Sequence, residues 1–193
     1  MEGTLPDDEG GPSGARAKTP ALVLVTGPPA VGKTTLAEAL AREYRLPLIG
    51  KDAIKERLFD TLGVGDREWS RALGGASMTL LFYVVTELLA AGTATIAEAN
   101  FRRSDAAAFH ALPRHRLIQI HVTAPRSLIL ERYARRSRHR GHLASSVLLP
   151  EIEAALASGQ HEPLDLDGEL IRVDTEDGLE IDAVVERLAP ILA

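Results

Sequence analysis

The sequence predicts an α/β fold in which a parallel sheet is covered by helices on both faces. Two observations carry that expectation. A glycine-bracketed loop sits between an apolar strand and an amphipathic helix, and strand-like and helix-like segments alternate from there to the end of the 193-residue chain. Alternation of this kind requires crossover connections and therefore parallel neighbours. Ligands in such sheets bind at the carboxyl ends of the strands.

The elements follow in order. "LVLVT", Leu22 to Thr26, is apolar almost throughout and forms the first strand; Gly32 to Tyr44 forms the first helix. Leu46 to Ile49 is a short second strand, followed by a helix from Asp52 to Thr61. Gly63 and Gly65 break the chain, after which a long helix runs from Glu68 to Ala91. Its most apolar part, Met78 to Ala91, is too short to span a bilayer, carries Glu87 and is expected to be buried. Thr93 to Ala97 is a third strand rich in β-branched residues. Ser104 is placed to cap the next helix, with Asp105 adding charge near its start. Leu117 to Val122 makes the fourth strand, and Pro125 starts a helix running to Ser137. A basic, glycine-interrupted loop leads to a helix from Ser146 to Ala157; Leu170 to Val173 is the fifth strand, and Leu179 to Leu188 closes the chain.

Composition agrees with one compact domain. Hydrophobic residues make up 45% of the chain, enough for a sizeable core. The net charge of −5 does not favour long nucleic acid or an anionic membrane, so a polyanion would need a local basic patch. The absence of cysteine excludes disulfides and thiolate metal sites and fits a reducing compartment; cytoplasmic location is the default expectation. Residues 1–19 are acidic and rich in Gly and Pro, carry neither signal-peptide nor import pattern, and read as a disordered tail ahead of a domain over 20–193.

The loop Gly27-Pro28-Pro29-Ala30-Val31-Gly32-Lys33-Thr34 fits the phosphate-binding pattern G-x-x-x-x-G-K-[ST], in the strand-to-helix context that the pattern requires. Gly27 permits a sharp turn, and Gly32 lets backbone N–H groups approach phosphate oxygens at a helix start, where the dipole favours anions. Lys33 would reach the β- and γ-phosphates, and Thr34 would offer its hydroxyl to Mg²⁺. Ala30, Val31 and Thr35 complete the nucleotide-binding set, Thr35 doubling as helix packing. Pro28 and Pro29 lack N–H groups and leave fewer donors than an all-glycine loop.

Three further clusters fall at strand ends. Asp52, directly after the second strand, can accept the proton of a substrate hydroxyl as it attacks the γ-phosphorus, or can serve as the helix N-cap. Glu98 ends the third strand, where an acid commonly holds Mg²⁺ or its water; a pairing with Arg102 or Arg103 is the structural alternative. Asn100 can orient substrate or cap the turn. In "LERYARRSRHRGH", Arg132, Arg135, Arg136, Arg138 and Arg140 crowd one helix end. Arg132 and Arg136, spaced i, i+4, would point from one face at one polyphosphate. His139 and His142 flank this loop with no carboxylate or thiolate adjacent in sequence, and His110, His115, His121 and His161 form no constellation.

In these residues the chain resembles the AAA-like group of phosphate-loop kinases, which takes in chloramphenicol phosphotransferase-like, zeta-toxin-like and polynucleotide kinase-like proteins. The resemblance runs from Ala21 to Val173 and rests on "GPPAVGKTT", Asp52, the acid in "AEANF" and the arginines from Arg132 onward. It implies a three-layer phosphate-loop kinase fold with a five-stranded parallel sheet, ATP and Mg²⁺, and a short lid over about 136–145. It also implies Asp52 as general base, Arg132 and Arg136 as adenine-stacking and phosphate-clamping arginines, and "VDT", ending in Thr175, as the turn towards the adenine. Relatives often carry Asp where this chain has Glu98.

The expected activity is transfer of the γ-phosphoryl group of ATP to a hydroxyl of a small molecule such as a sugar, nucleoside or antibiotic. Asp52, Lys33, Arg132 and Arg136 are the catalytic set, and Asp52, Arg71, Asn100 and Arg102 face the acceptor. Trp69 and the Gly74-Gly75-Ala76 stretch are further pocket candidates, Trp69 having helix packing as its alternative. A kinase of a nucleic-acid 5′ end or nucleotide-sugar, and an NTP-driven switch, are the competing readings.

Overall fold

The computed structural model describes residues 18–137 and 139–192. The expected tail falls outside these residues up to position 17, as does Arg138. The strands are β1 (Ala21–Thr26), β2 (Leu48–Gly50), β3 (Thr95–Glu98), β4 (Arg116–Thr123) and β5 (Glu169–Asp174). The helices are α1 (Lys33–Tyr44), α2 (Lys51–Leu62), α3 (Arg67–Ala90), α4 (Ala106–His110), α5 (Arg126–Arg135), α6 (Ser145–Ala157) and α7 (Ile181–Leu192).

The five strands form one parallel sheet in the order β2-β3-β1-β4-β5. All six residues of β1 are buried, as the centre of a doubly covered sheet requires. Alternation along β1 sorts the core into two layers. Val23 and Val25 face Leu36 and Leu40 of α1 and Leu188 of α7. Leu22 and Leu24 face Leu81, Val85 and Leu89 of α3, and Phe101 and Phe109. The rings of Phe101 and Phe109 meet edge to face at 5.1 Å, a preferred aromatic geometry.

Register brings the carboxyl ends together. Glu98 pairs with Val25 on one side and Gly50 on the other, while His121 pairs with Thr26 and Asp174 with Thr123. The phosphate loop leaves the middle of this edge, with β2 and β3 to one side and β4 and β5 to the other.

Several local expectations change. β2 begins two residues later than expected, because the Pro47 carbonyl accepts from the Ile96 N–H and the Thr95 hydroxyl outside any regular ladder. β3 likewise covers Thr95–Glu98 rather than Thr93 to Ala97. α3 is not buried all round: Ser77, Leu81, Val85 and Leu89 face the core, while Leu80 and Tyr83 on the other face are 40% and 60% exposed. The whole helix is long and apolar enough to cross a membrane by length and composition, but its one buried stripe packs on the sheet as a core helix does. Ser104 is not a cap. A 3₁₀ turn over Arg103–Asp105 precedes α4, and Asp105 accepts from the Arg102 backbone N–H at 2.8 Å. α7 continues to Leu192, past the expected end at Leu188.

Candidate active site

Backbone geometry builds the phosphate loop. Gly27 has φ +131°, and a Cβ there would lie 2.0 Å from the Val122 carbonyl oxygen, so only glycine fits. Ala30 and Gly32 also take positive φ, 65° and 93°, and Val31 between them is buried. Alternation of this sort turns successive N–H groups inward to form an anion-binding concavity. Gly32 is the N-cap of α1, whose first turn carries no acid, so the positive helix end is left for a ligand.

Lys33 is buried, and its Nζ donates to the Pro28 carbonyl at 2.5 Å. Burial lowers its pKa to about 8; Glu98 and Asp52 oppose the shift, and Arg136 adds to it. A phosphate in the loop would restore the favourable surroundings for its charge. The Thr34 hydroxyl donates to Glu98 Oε2 at 3.4 Å. Burial raises the Glu98 pKa, against the pull of the Lys33 charge. Glu98 pairs with Thr34 rather than with Arg102 or Arg103. Among the described residues no three His, Cys, Asp or Glu side chains form a metal-holding group. The donor set offered is one hydroxyl and one carboxylate, which suits Mg²⁺, an ion that keeps waters and takes phosphate oxygens as further ligands. Thr35 is exposed on α1, so its packing reading does not hold: its side chain points away from the core layer that Leu36 enters.

Towards β5, Thr175 is buried, and its hydroxyl lies 3.2 Å from the Val31 carbonyl and 3.1 Å from that of Thr123. Arg132 donates to it twice, Nη1 to the hydroxyl at 3.0 Å and Nη2 to the carbonyl at 2.7 Å. The guanidinium therefore ties α5 to the turn after β5 and, through Thr175, to the phosphate loop. Arg136 follows the last residue of α5 as its C-cap, and its backbone N–H still donates to the Arg132 carbonyl at 3.1 Å, so the i, i+4 relation is kept over this last turn although the chain turns extended beyond it. Its charge is still felt at Lys33.

Towards β2 and β3 opens a cleft of about 1150 Å³ bordered by Pro29 of the phosphate loop. Asp52, Arg71, Asn100 and Arg102 all line it. Asp52 is not the N-cap of α2; Gly50 holds that position, and Asp52 lies in the first turn with its carboxylate 3.6 Å from Lys51 Nζ. Gly74 and Gly75 border the same cleft from α3. Trp69 does not: its indole N–H donates to the Gly63 carbonyl at 3.1 Å and ties down the α2–α3 connection.

The segment after α5 lies against α2. Gly141 approaches Phe59 so closely that a Cβ would meet the ring at 2.3 Å. His139 Nε2 is 3.1 Å from Asp60, and His142 Nε2 is 3.1 Å from Glu56. Both histidines thus have the carboxylates that were absent from their sequence neighbourhood, supplied one each by α2 from about 80 residues upstream.

His121 and His161, without sequence context, come together. His121 Nε2 is 2.8 Å from the His161 carbonyl, and both residues are buried. His161 borders the cleft. Burial lowers its pKa to about 4, reinforced by Lys33, Arg102 and His121. The loop that carries it is fixed by Gln119, whose side chain donates to the Leu164 carbonyl and accepts from the Leu164 N–H. The sequence signal for this was a pair of polar residues, Gln119 and His121, alternating on one side of an otherwise apolar strand interior.

Comparison with known proteins adds to this geometry. A family model described as AAA domain matches residues 22–160. A candidate kinase from Chloroflexus aurantiacus J-10-fl is 38% identical, with a TM-score of 0.82 over 91% of this chain and 100% of that one. A sugar kinase from Janibacter sp. HTCC2649 (23% identical, TM-score 0.60, 91% of this chain and 99% of that one) shares the fold. So does the shikimate kinase from Acinetobacter baumannii (20%, 0.57, 91% and 94%). Among curated proteins, 50 residues are 54% identical to the replication factor C large subunit of Sulfolobus acidocaldarius, 25% of this chain and 11% of that protein. The chain thus spans about a tenth of the length of the curated relatives it matches.

Proposed function

The chain belongs to the AAA domain family and is a phosphate-loop kinase, and from that premise we propose that it transfers the γ-phosphoryl group of ATP to a hydroxyl of a small molecule bound in the cleft beside Asp52. One observation carries the proposal: the Asp52 carboxylate and the phosphate loop border the same cleft.

In this reading the triphosphate lies on the loop N–H groups with Lys33 beside its β- and γ-oxygens. Thr175 and Arg132 shape the base-side wall. The acceptor hydroxyl stands against Asp52. As its oxygen bonds to the γ-phosphorus, the bond from phosphorus to the β–γ bridging oxygen breaks, and the hydroxyl proton passes to the Asp52 carboxylate. The charges of Lys33 and Arg136 stabilise negative charge on the γ-oxygens. Thr34, with Glu98 directly or through water, would hold Mg²⁺, which would supply positive charge against the charge developing on the phosphates. Arg71, Asn100 and Arg102 position the acceptor.

The test is ATP turnover against a panel of hydroxyl compounds, with mass spectrometry for a product heavier by one phosphoryl group. Asp52→Asn should lower kcat by roughly 10²- to 10⁴-fold, the usual worth of a general base, while ATP affinity stays the same. Transfer that survives in Asp52→Asn removes the base assignment. ATP binding without any transfer, with hydrolysis accelerated by a protein partner, would favour a switch instead.

A further inference from the structure

The chain as a whole is acidic, with a net charge of −5, yet the cleft wall is not. Five cations border it, Lys51, Lys55, Arg67, Arg71 and Arg102, against the three acids Asp52, Asp105 and Glu151. The acids are largely engaged. Glu151 of α6 pairs with Arg67 of α3, Asp52 lies beside Lys51, and Asp105 accepts the Arg102 backbone N–H. Lys55 donates to the Ser70 hydroxyl at 2.9 Å and stands over the Phe59 ring at 5.2 Å. Arg71 on α3 and Arg102 after β3 come from separate elements, and no ion pair joins either to a carboxylate among the described residues.

A second observation lies on the same wall. His161 is only 8% exposed, and its Nδ1 is buried with no hydrogen-bond partner. His161 borders both this cleft and the smaller pocket beside His121. Arg102 is close enough to His161 to disfavour a charge on it. Two guanidinium groups from separate elements thus border a cleft far larger than one hydroxyl needs.

We propose that the acceptor carries a permanent oxyanion, a carboxylate or a phosphate ester, in addition to the hydroxyl that is phosphorylated, and that Arg71 and Arg102 hold it. This rests on the kinase reading and narrows it: neutral sugars and nucleosides leave both arginines facing water, whereas an anionic polyol engages them by charge-assisted hydrogen bonds.

The experiment uses matched triplets, each a neutral polyol, its carboxylate and its phosphate monoester, for example glucose, gluconate and glucose 6-phosphate. Binding to the full-length protein is measured by calorimetry with the phosphate loop saturated by a non-hydrolysable ATP analogue, and turnover is measured with ATP. Charged members should bind at least about 10-fold more tightly than the neutral one, and Arg71→Gln and Arg102→Gln should each remove about 10-fold of that preference, the usual worth of a charged hydrogen bond. Whichever arm wins, carboxylate or phosphate, names the anion. Charged members that bind no better than the neutral one, or a preference unchanged in both variants, overturn the proposal even where a neutral polyol is phosphorylated. Charged members that bind through the arginines without ever being phosphorylated leave the oxyanion site standing and count against the kinase reading alone.

Discussion

His161 should make this protein acid-sensitive in a way that one substitution removes. Its ring is buried, and the groups around it, Lys33, Arg102 and His121, all oppose a positive charge, so its pKa falls from 6.5 to about 4. In the unfolded chain those neighbours disperse and the ring titrates near 6.5. Between the two values the unfolded chain takes up a proton that the folded chain refuses. Stability therefore falls as pH drops through 6.5, and the loss is complete below about 4. At pH 5 linkage gives a loss of about 2 kcal/mol relative to pH 7.5, reduced to about 1 to 2 kcal/mol because one edge of the ring meets solvent in the cleft. The assay is urea unfolding of the wild type and His161→Gln at pH 5 and 7.5. Gln cannot titrate, and its amide leaves intact the 161 carbonyl that faces His121. The variant should lose about 1 to 2 kcal/mol less than the wild type over this range, while the titrations of His121 and Glu98 cancel in the comparison. Equal losses in the two proteins would refute the reasoning.

Two further substitutions probe the phosphate loop's backbone and the segment after α5. Ala30 holds φ 65°, a conformation that costs an L-residue about 1 to 2 kcal/mol and glycine nothing. Ala30→Gly should therefore raise stability by about 0.5 to 1 kcal/mol once glycine's greater unfolded freedom is deducted, a rise of about 1 to 4 °C in Tm; a lower Tm would show that the loop holds this geometry without strain. Gly141→Ala places a methyl 2.3 Å from the Phe59 ring, so the segment must lift from α2 at a cost of about 1 to 3 kcal/mol. Protease cleavage between residues 139 and 144 should accelerate, and an unchanged cleavage rate would show that the segment does not rest on Phe59.

The donor side of the site was legible because it is local. Gly27, Ala30, Gly32, Lys33 and Thr34 lie within eight consecutive residues, and a single turn fixes their relations whatever the rest of the chain does. Strand and helix existence was legible for the same reason, since a period is a local property. What failed were statements that needed an exact helix end or a distant partner. Ser104 was expected to cap the helix after β3, yet a 3₁₀ turn over Arg103–Asp105 precedes α4 and Asp105 takes the capping contact. His139 and His142 were read as lacking carboxylates because Glu56 and Asp60 reach them only through the docking of the segment on α2.

The same distinction explains why the acceptor is harder to read than the nucleotide. The strand order β2-β3-β1-β4-β5 places β1 and its loop between two half-sites. On the β4–β5 side, Thr175 is hydrogen-bonded to the loop at Val31 and Arg132 is joined to it through Thr175, so the form of this wall follows from the loop it supports. On the β2–β3 side, the wall is assembled from α2, α3, the turn after β3, the segment after α5, α6 and the loop after it. Most of these contribute polar groups of their own, and no two of those elements share a sequence pattern. A change in one of these segments can thus alter the cleft while the phosphate loop and the sheet edge stay in place. This arrangement separates the phosphate loop from the cleft wall, on which Arg71, Arg102 and His161 come from α3, the turn after β3 and the loop after α6.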